Sequence, residues 1–126
     1  MKPLFPTLLA WLMLSGPVLA DTPRDFLNRF QQESGPADPQ RGARIFVAKG
    51  NEWSCATCHT ETPTRVGRHV KTDKPIAALA PAANAERFTD PAKVDKWFRR
   101  NCNDVFGRVC SAQEKADVLA WLINQK

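Results

Sequence analysis

The chain has 126 residues, with 18 Lys and Arg against 13 Asp and Glu, a formal net charge of +5, and 43% hydrophobic residues. That length holds one small domain. Its basic residues are scattered along the chain rather than gathered on one face, which leaves no nucleic-acid footprint. A mild positive surface serves solubility first and docking to an acidic protein partner second.

Residues 1–20, MKPLFPTLLAWLMLSGPVLA, place Lys2 before an apolar run from Leu4 to Leu14 and end in Val-Leu-Ala. This is the order of a secretory signal peptide cleaved after Ala20. The run is shorter than the roughly 20 residues that span a bilayer, and no later segment predicts a span. The expected product is therefore an exported, periplasmic, soluble domain of residues 21–126; an uncleaved amino-terminal anchor is the alternative.

Thr22-Pro23-Arg24-Asp25 reads as a helix start, with a Thr cap, Pro at the first helical position and an acid in the first turn. Phe26, Leu27 and Phe30 form its apolar face before Gly35-Pro36 stops it. Asp38-Pro39 opens a second helix through about Lys49, carrying Gly42, Ile45, Phe46 and Val47, with Gly50 as its stop. Asn51 to Thr60 reads as a short loop or helical turn. From Glu61 to Phe88 periodicity is lost among three prolines, with at most a turn or two of helix near Ile76 to Leu79. A structureless stretch of this length in a compact domain points to a site that it wraps. Asp90-Pro91 starts a third clear helix with Val94, Trp97, Phe98, Asn101 and Cys102 at helical spacing. Ser111-Ala-Gln-Glu114 is a capping box before a last helix with Val118, Leu119, Leu122 and Ile123 on one face and Trp121 on its flank. The prediction is mostly helical, with no strand run.

The four cysteines divide into Cys55 with Cys58 and Cys102 with Cys110. The first pair sits in Cys55-Ala-Thr-Cys58-His59, which reads three ways. A structural zinc site wants four ligands, and the second pair completes such a set only loosely; export to an oxidising space works against it. A thioredoxin-like redox pair expects strand–helix alternation around C-x-x-C, and none is present. C-x-x-C-H is also the attachment sequence of c-type haem. Two thiols three apart on a turn reach the two vinyl groups on one side of the porphyrin, and the next imidazole swings beneath the ring to the iron. One covalently attached haem c, held by Cys55, Cys58 and His59, is the expected cofactor. A cysteine pair left over in an oxidising compartment tends to form a disulfide, which pairs Cys102 with Cys110. The pattern resembles class I cytochrome c: Gly42 and Phe46 look like that class's glycine–aromatic pair, packed on the terminal helix. The implied fold is all-α, a single haem enclosed by three to five helices.

The other face of the iron is less determined. Methionine is the usual partner of histidine in electron-transfer cytochromes of this class, yet Met1 and Met13 both lie in the signal segment. The remaining candidates are His69 in a basic loop, one of Lys71, Lys74, Lys93 and Lys96, Asn101, or no ligand at all. An amide on an apolar helical stripe needs a partner, at a cost of about 1–3 kcal/mol if it has none; a hydrogen bond or the iron would each serve. Arg99 and Arg100 read as solvated, with a contact to haem propionates as the sharper alternative.

The segment IAALAPAANAERFTDPAKVDKWFRRNCNDVFGRVCSAQEKADVLAWL resembles the sphaeroides haem protein family of high-spin, oxygen-binding cytochromes c. The resemblance implies that His59 is one axial ligand and Asn101, in its Arg-Asn-Cys segment, the other. It also implies that the asparagine stays bound in the ferric state and leaves on reduction, opening a site for oxygen or nitric oxide, and that Cys102 and Cys110 are bridged. A dihaem cytochrome c is the implied electron donor. A hard amide oxygen suits ferric iron better than ferrous iron, which agrees with release on reduction. The expected function is electron transfer coupled to reversible binding of a diatomic gas (O2, NO or CO). The alternatives are a plain electron carrier with His69 permanently bound, and a haem enzyme turning over oxygen, nitric oxide or peroxide. The last lacks an evident acid/base histidine.

Overall fold

The computed structural model describes residues 1, 16, 17 and 19–126; residues 2–15 and 18, with the apolar run of the expected signal peptide, lie outside the described residues. Five helices and one small hairpin follow in order: α1 (Pro23–Ser34), α2 (Pro39–Val47), α3 (Cys55–His59), β1 (Gly67–Arg68), β2 (Pro75–Ile76), α4 (Pro91–Phe106) and α5 (Ala112–Ile123). Among the described residues no helix is long and apolar enough to cross a membrane.

Local signals set the helix ends. The Thr22 hydroxyl accepts from the Asp25 N–H while the Asp25 carboxylate accepts from the Thr22 N–H, a reciprocal cap on α1. Asp38 caps α2 through the N–H groups of Gln40 and Arg41, and Asp90 caps α4 through Lys93. Each cap is followed by proline, whose missing N–H costs nothing at that position. Gly107 ends α4 at φ 67°, a left-handed turn that glycine takes without penalty. The second helix stops at Val47, two residues before the predicted end, because Ala48 turns to an extended conformation while its N–H still bonds Arg44.

The core has two lobes. Phe26, Phe30, Val94, Ala116 and Leu119 join α1, α4 and α5, and Phe46, Val118 and Leu122 join α2 and α5. Phe88, from the long loop, packs against both. Each large side chain fully buried in this way contributes about 1.5–3 kcal/mol. The two helices α2 and α5 meet at Gly42, where a Cβ would overlap the Asp117 carbonyl. One turn on, Phe46 meets the Trp121 ring at 4.7 Å between centroids. The predicted glycine–aromatic contact with the terminal helix is therefore present.

Two expectations are corrected, and a third is narrowed. A strand pair exists, antiparallel with Gly67 opposite Ile76 and Arg68 opposite Pro75. Near Ile76 to Leu79, where at most a turn or two of helix is expected, none forms, and the N–H groups of Leu79 and Ala80 donate to the Pro63 carbonyl at 2.9 Å. Trp97, expected on the buried stripe, is 43% exposed, while Val94 and Cys102 on the same helix are buried.

The cap of α5 carries a charge that titrates. Arg108 donates two hydrogen bonds to Glu114, at 2.8 and 2.7 Å, and the Ser111 N–H donates a third at 2.9 Å. These bonds, those from Arg108 foremost, hold the Glu114 carboxyl down at about 2. A depressed carboxyl adds stability above its unfolded value that is lost as pH falls through the folded one. Glu114→Gln is expected to cost about 1 kcal/mol or less at neutral pH, because Arg108 is half exposed. The gap between variant and parent should close as pH falls from about 4.5 to about 2. Thermal unfolding across a pH series measures it.

Candidate haem site

The motif helix α3 is capped by Ser54, whose hydroxyl accepts from the Thr57 N–H while the Thr57 hydroxyl accepts from the Ser54 N–H. It ends just after His59, because Thr60 adopts φ 63°. That conformation is costly for a β-branched residue. It is held by the Thr60 hydroxyl, which donates to the Thr62 carbonyl at 2.7 Å and accepts from the Thr62 N–H at 3.1 Å. The approach to α3 is tied to α4: the Asn51 N–H donates to the Val105 carbonyl at 2.9 Å. On its far side α3 abuts β1, where a Cβ at Gly67 would overlap the Cys58 carbonyl.

Between α3, α4, α5 and the loop of residues 61–90 lies a cavity of about 490 Å³. Cys55, Cys58 and His59 line one side, and Trp97, Phe98 and Asn101 of α4 also line it. All three predicted motif residues therefore face one space, and so does the predicted asparagine. Ile45, Phe46, Leu79, Phe88 and Leu122 supply apolar wall.

The chemistry of the donors fits a haem. Cys55 and Cys58 are free thiols, and burial pushes the Cys55 thiol up to about 11. Burial, then the Arg87 charge, brings His59 down to about 4, so at neutral pH its imidazole is uncharged and keeps a lone pair to ligate with. Cys102 and Cys110 face each other with Cα atoms 5.7 Å apart, the separation of a bridged pair. Turned toward each other, they do not join Cys55 and Cys58, and no cluster of three or more His, Cys, Asp or Glu ligands occurs among the described residues. The four-cysteine zinc arrangement is absent from this fold for that reason.

His69 also lines the cavity, but its geometry is specific. Its Nδ1 accepts from the N–H groups of Lys71 and Thr72, both at 3.3 Å. An imidazole whose Nδ1 accepts carries its proton on Nε2, and so has no free lone pair to offer from that nitrogen. Lys71 sits over the Trp53 ring at 4.9 Å. Arg100 lies 5.5 Å from the Trp97 ring, at the mouth rather than the interior.

One feature of the site and one of the core escaped the sequence reading. Arg87 lines the cavity and donates through Nε and Nη2 to the carbonyls of Ala78 and Ala77, at 3.0 and 2.7 Å. Asp117 is wholly buried beneath α2. Neither stands in a recognisable motif, and each acquires its role from chain segments far away in sequence or from a loop without periodicity.

The family model described as a domain of unknown function (DUF1924) matches residues 32–122. The cytochrome c-type protein SHP of Cereibacter sphaeroides is 47% identical over 121 residues, 90% of this chain and 93% of that protein. The solved structure of oxidized SHP, described as an oxygen binding cytochrome c, matches with a TM-score of 0.79 at 45% identity, covering 84% of this chain and 99% of that one. Oxidized cytochrome c'' from Methylophilus methylotrophus matches with a TM-score of 0.74 at 33% identity, covering 82% of this chain and 94% of that one; the solution structure of that protein is described as bearing on haem-ligand detachment. A sequence match over nine-tenths of the chain, joined to the same fold, places this chain in the SHP family of c-type cytochromes.

Proposed function

We propose that this chain is an exported monohaem c-type cytochrome that transfers electrons and reversibly binds a diatomic gas (O2, NO or CO) at the position that Asn101 gives up on reduction. The observation that carries the reading is the convergence of Cys55, Cys58, His59 and Asn101 on one largely apolar cavity. Family membership supports it, since one relative is an oxygen binding cytochrome c and another is studied for haem-ligand detachment. The prosthetic group supplies a redox-active iron with one exchangeable position.

The residues divide the work. Cys55 and Cys58, on one short helix, tether the macrocycle, and His59 holds the iron from the same helix. Asn101 offers an amide oxygen from α4, a hard donor that ferric iron keeps better than ferrous iron. Cys102 follows it directly, and a bridge to Cys110 fixes the end of α4, so that the amide leaves and returns from a fixed backbone. Phe98 and Val94 keep water from that wall. His69 is the poorer ligand, because its Nδ1 is engaged by two backbone N–H groups; the plain-carrier reading loses support on that ground. Residues 21–126 form the mature periplasmic domain in this reading, and a dihaem cytochrome c is its redox partner.

Absorption spectroscopy tests the reading. The ferrous protein should show a large Soret shift with carbon monoxide. Asn101→Ala should change the ferric spectrum from that of the parent, while His69→Ala should leave it alone. A ferrous spectrum indifferent to carbon monoxide removes the gas-binding half of the reading, and an altered ferric spectrum in His69→Ala instead reassigns the ligand.

A further inference from the structure

Arg87 is a half-buried cation that lacks a counter-charge. Its Nε and Nη2 are spent on the Ala78 and Ala77 carbonyls. A guanidinium carries five N–H donors, so both hydrogens of Nη1 and one of Nη2 remain. They form the end-on fork that receives a carboxylate through two bonds. Among the described residues no carboxylate lies within 4.0 Å of it. The acids that line the cavity are occupied or turned away: Asp90 caps α4, Glu114 is paired with Arg108, and Glu86 and Asp104 are exposed.

A cation withdrawn from water without an opposite charge is expensive to keep. Burial depresses the Arg87 guanidinium accordingly. The other cations of the cavity, Lys71, Lys93 and Arg100, are exposed at its rim, where water screens them. Arg87 is also fixed, because the two carbonyls grip one edge of its plane.

We infer that Arg87 binds a carboxylate of the prosthetic group seated in this cavity and holds it ionised, a role that rests on the haem reading above. Two porphyrin propionates are the anions such a group brings. Arg87 meets one with a preformed fork, and the exposed lysines contribute little beside it.

Covalent attachment through Cys55 and Cys58 retains the cofactor in the variants, so Arg87→Gln and Arg87→Lys are compared with the parent as holoproteins. The carboxylate's titration is followed through the midpoint potential over a pH series. In Arg87→Gln it should move up by about 1–3 pH units, the shift that loss of an adjacent opposite charge produces. Arg87→Lys should return part of that shift, having the charge without the fork, and Lys93→Gln should leave the titration in place. A merely structural Arg87, clamping two alanine carbonyls, would lower the unfolding midpoint of the variant without moving the titration. An unmoved titration in loaded Arg87→Gln, or an equal movement in Lys93→Gln, overturns the inference. Should Arg87→Gln fail to accumulate, arginine-labelled 15N spectra of the parent decide. Nη signals of Arg87 that follow the carboxylate titration support the contact, and signals indifferent to it refute it. Parent protein without attached porphyrin overturns the haem reading and this inference together, whereas a haem-loaded variant with unchanged titration overturns the inference alone.

Discussion

Asp117→Ala is expected to cost about 1–3 kcal/mol, the scale of leaving donors without their acceptor, out of the 5–15 kcal/mol by which a small domain is stable. Asp117 has no exposed surface. Its carboxylate accepts from Arg41 Nε and, at 2.9 Å, Arg41 Nη2, from the Asp38 N–H at 2.8 Å and from Gln113 Nε2 at 3.0 Å. Burial alone would raise its pKa, yet the bonds from Arg41, Asp38 and Gln113 outweigh it and hold the carboxyl below the ordinary value. Removing it leaves the Asp38 N–H and the inner edge of Arg41 without their acceptor, at the start of the helix that carries Gly42 and Phe46. The denaturant midpoint should fall with an unchanged slope, and the yield of haem-loaded protein should fall with it. The charge also sets a pH window. Because the folded carboxyl titrates lower than the unfolded one, its stability is present above about 3.9 and fades as pH falls below it. Asp117→Asn keeps the shape, should cost less than the alanine variant, and should flatten this acid limb. A midpoint within about 0.5 kcal/mol of the parent in Asp117→Ala would mean that the network is ornamental.

Gly67→Val should damage the site without touching a ligand. A Cβ at this position would overlap the Cys58 carbonyl and stand 3.0 Å from the His59 Cα. The obstacle is backbone, which cannot rotate aside as a side chain does. Valine must therefore push β1 away from α3 or shift α3, moving the two thiols and the imidazole relative to α4. Overpacking of this kind costs about 1–3 kcal/mol, and the displacement should lower the fraction of chains that acquire covalent haem. Arg68→Val, one residue along and exposed, should stay within about 0.5 kcal/mol. Haem-stained denaturing gels and thermal unfolding of both variants separate the cases. Equal haem content and stability in Gly67→Val and Arg68→Val would show that the loop tolerates separation from the motif helix.

The two sides of the cavity are mechanically joined. The Asn51 bond to the Val105 carbonyl links the approach to α3 with the last turns of α4, one turn beyond Asn101. Asn101 is thus carried on a helix whose end is tied both to the motif and, through Cys102, to the loop before α5. In the proposed function, that arrangement would let the Asn101 amide detach without the helix unfolding.

Much of this molecule was legible from local rules. Thr22, Asp38, Asp90 and Ser111 marked four helix starts, because a cap is a bond between residues two or three apart and needs no partner elsewhere. Cys55, Cys58 and His59 were legible as a candidate attachment motif because haem attachment is itself a short-range geometry, and Asn101 was singled out as a polar residue at helical spacing among apolar ones. The sequence by itself therefore determined the class of cofactor and the order of the helices. The tertiary structure decided what depends on segments brought together from afar: the pairing of Gly67 with Ile76, the burial of Asp117 under Arg41, the turn that engages His69 Nδ1, and the loop carbonyls that aim Arg87. No local pattern encodes these, because each is a hydrogen bond or close contact whose partner is chosen by the packing of the whole chain.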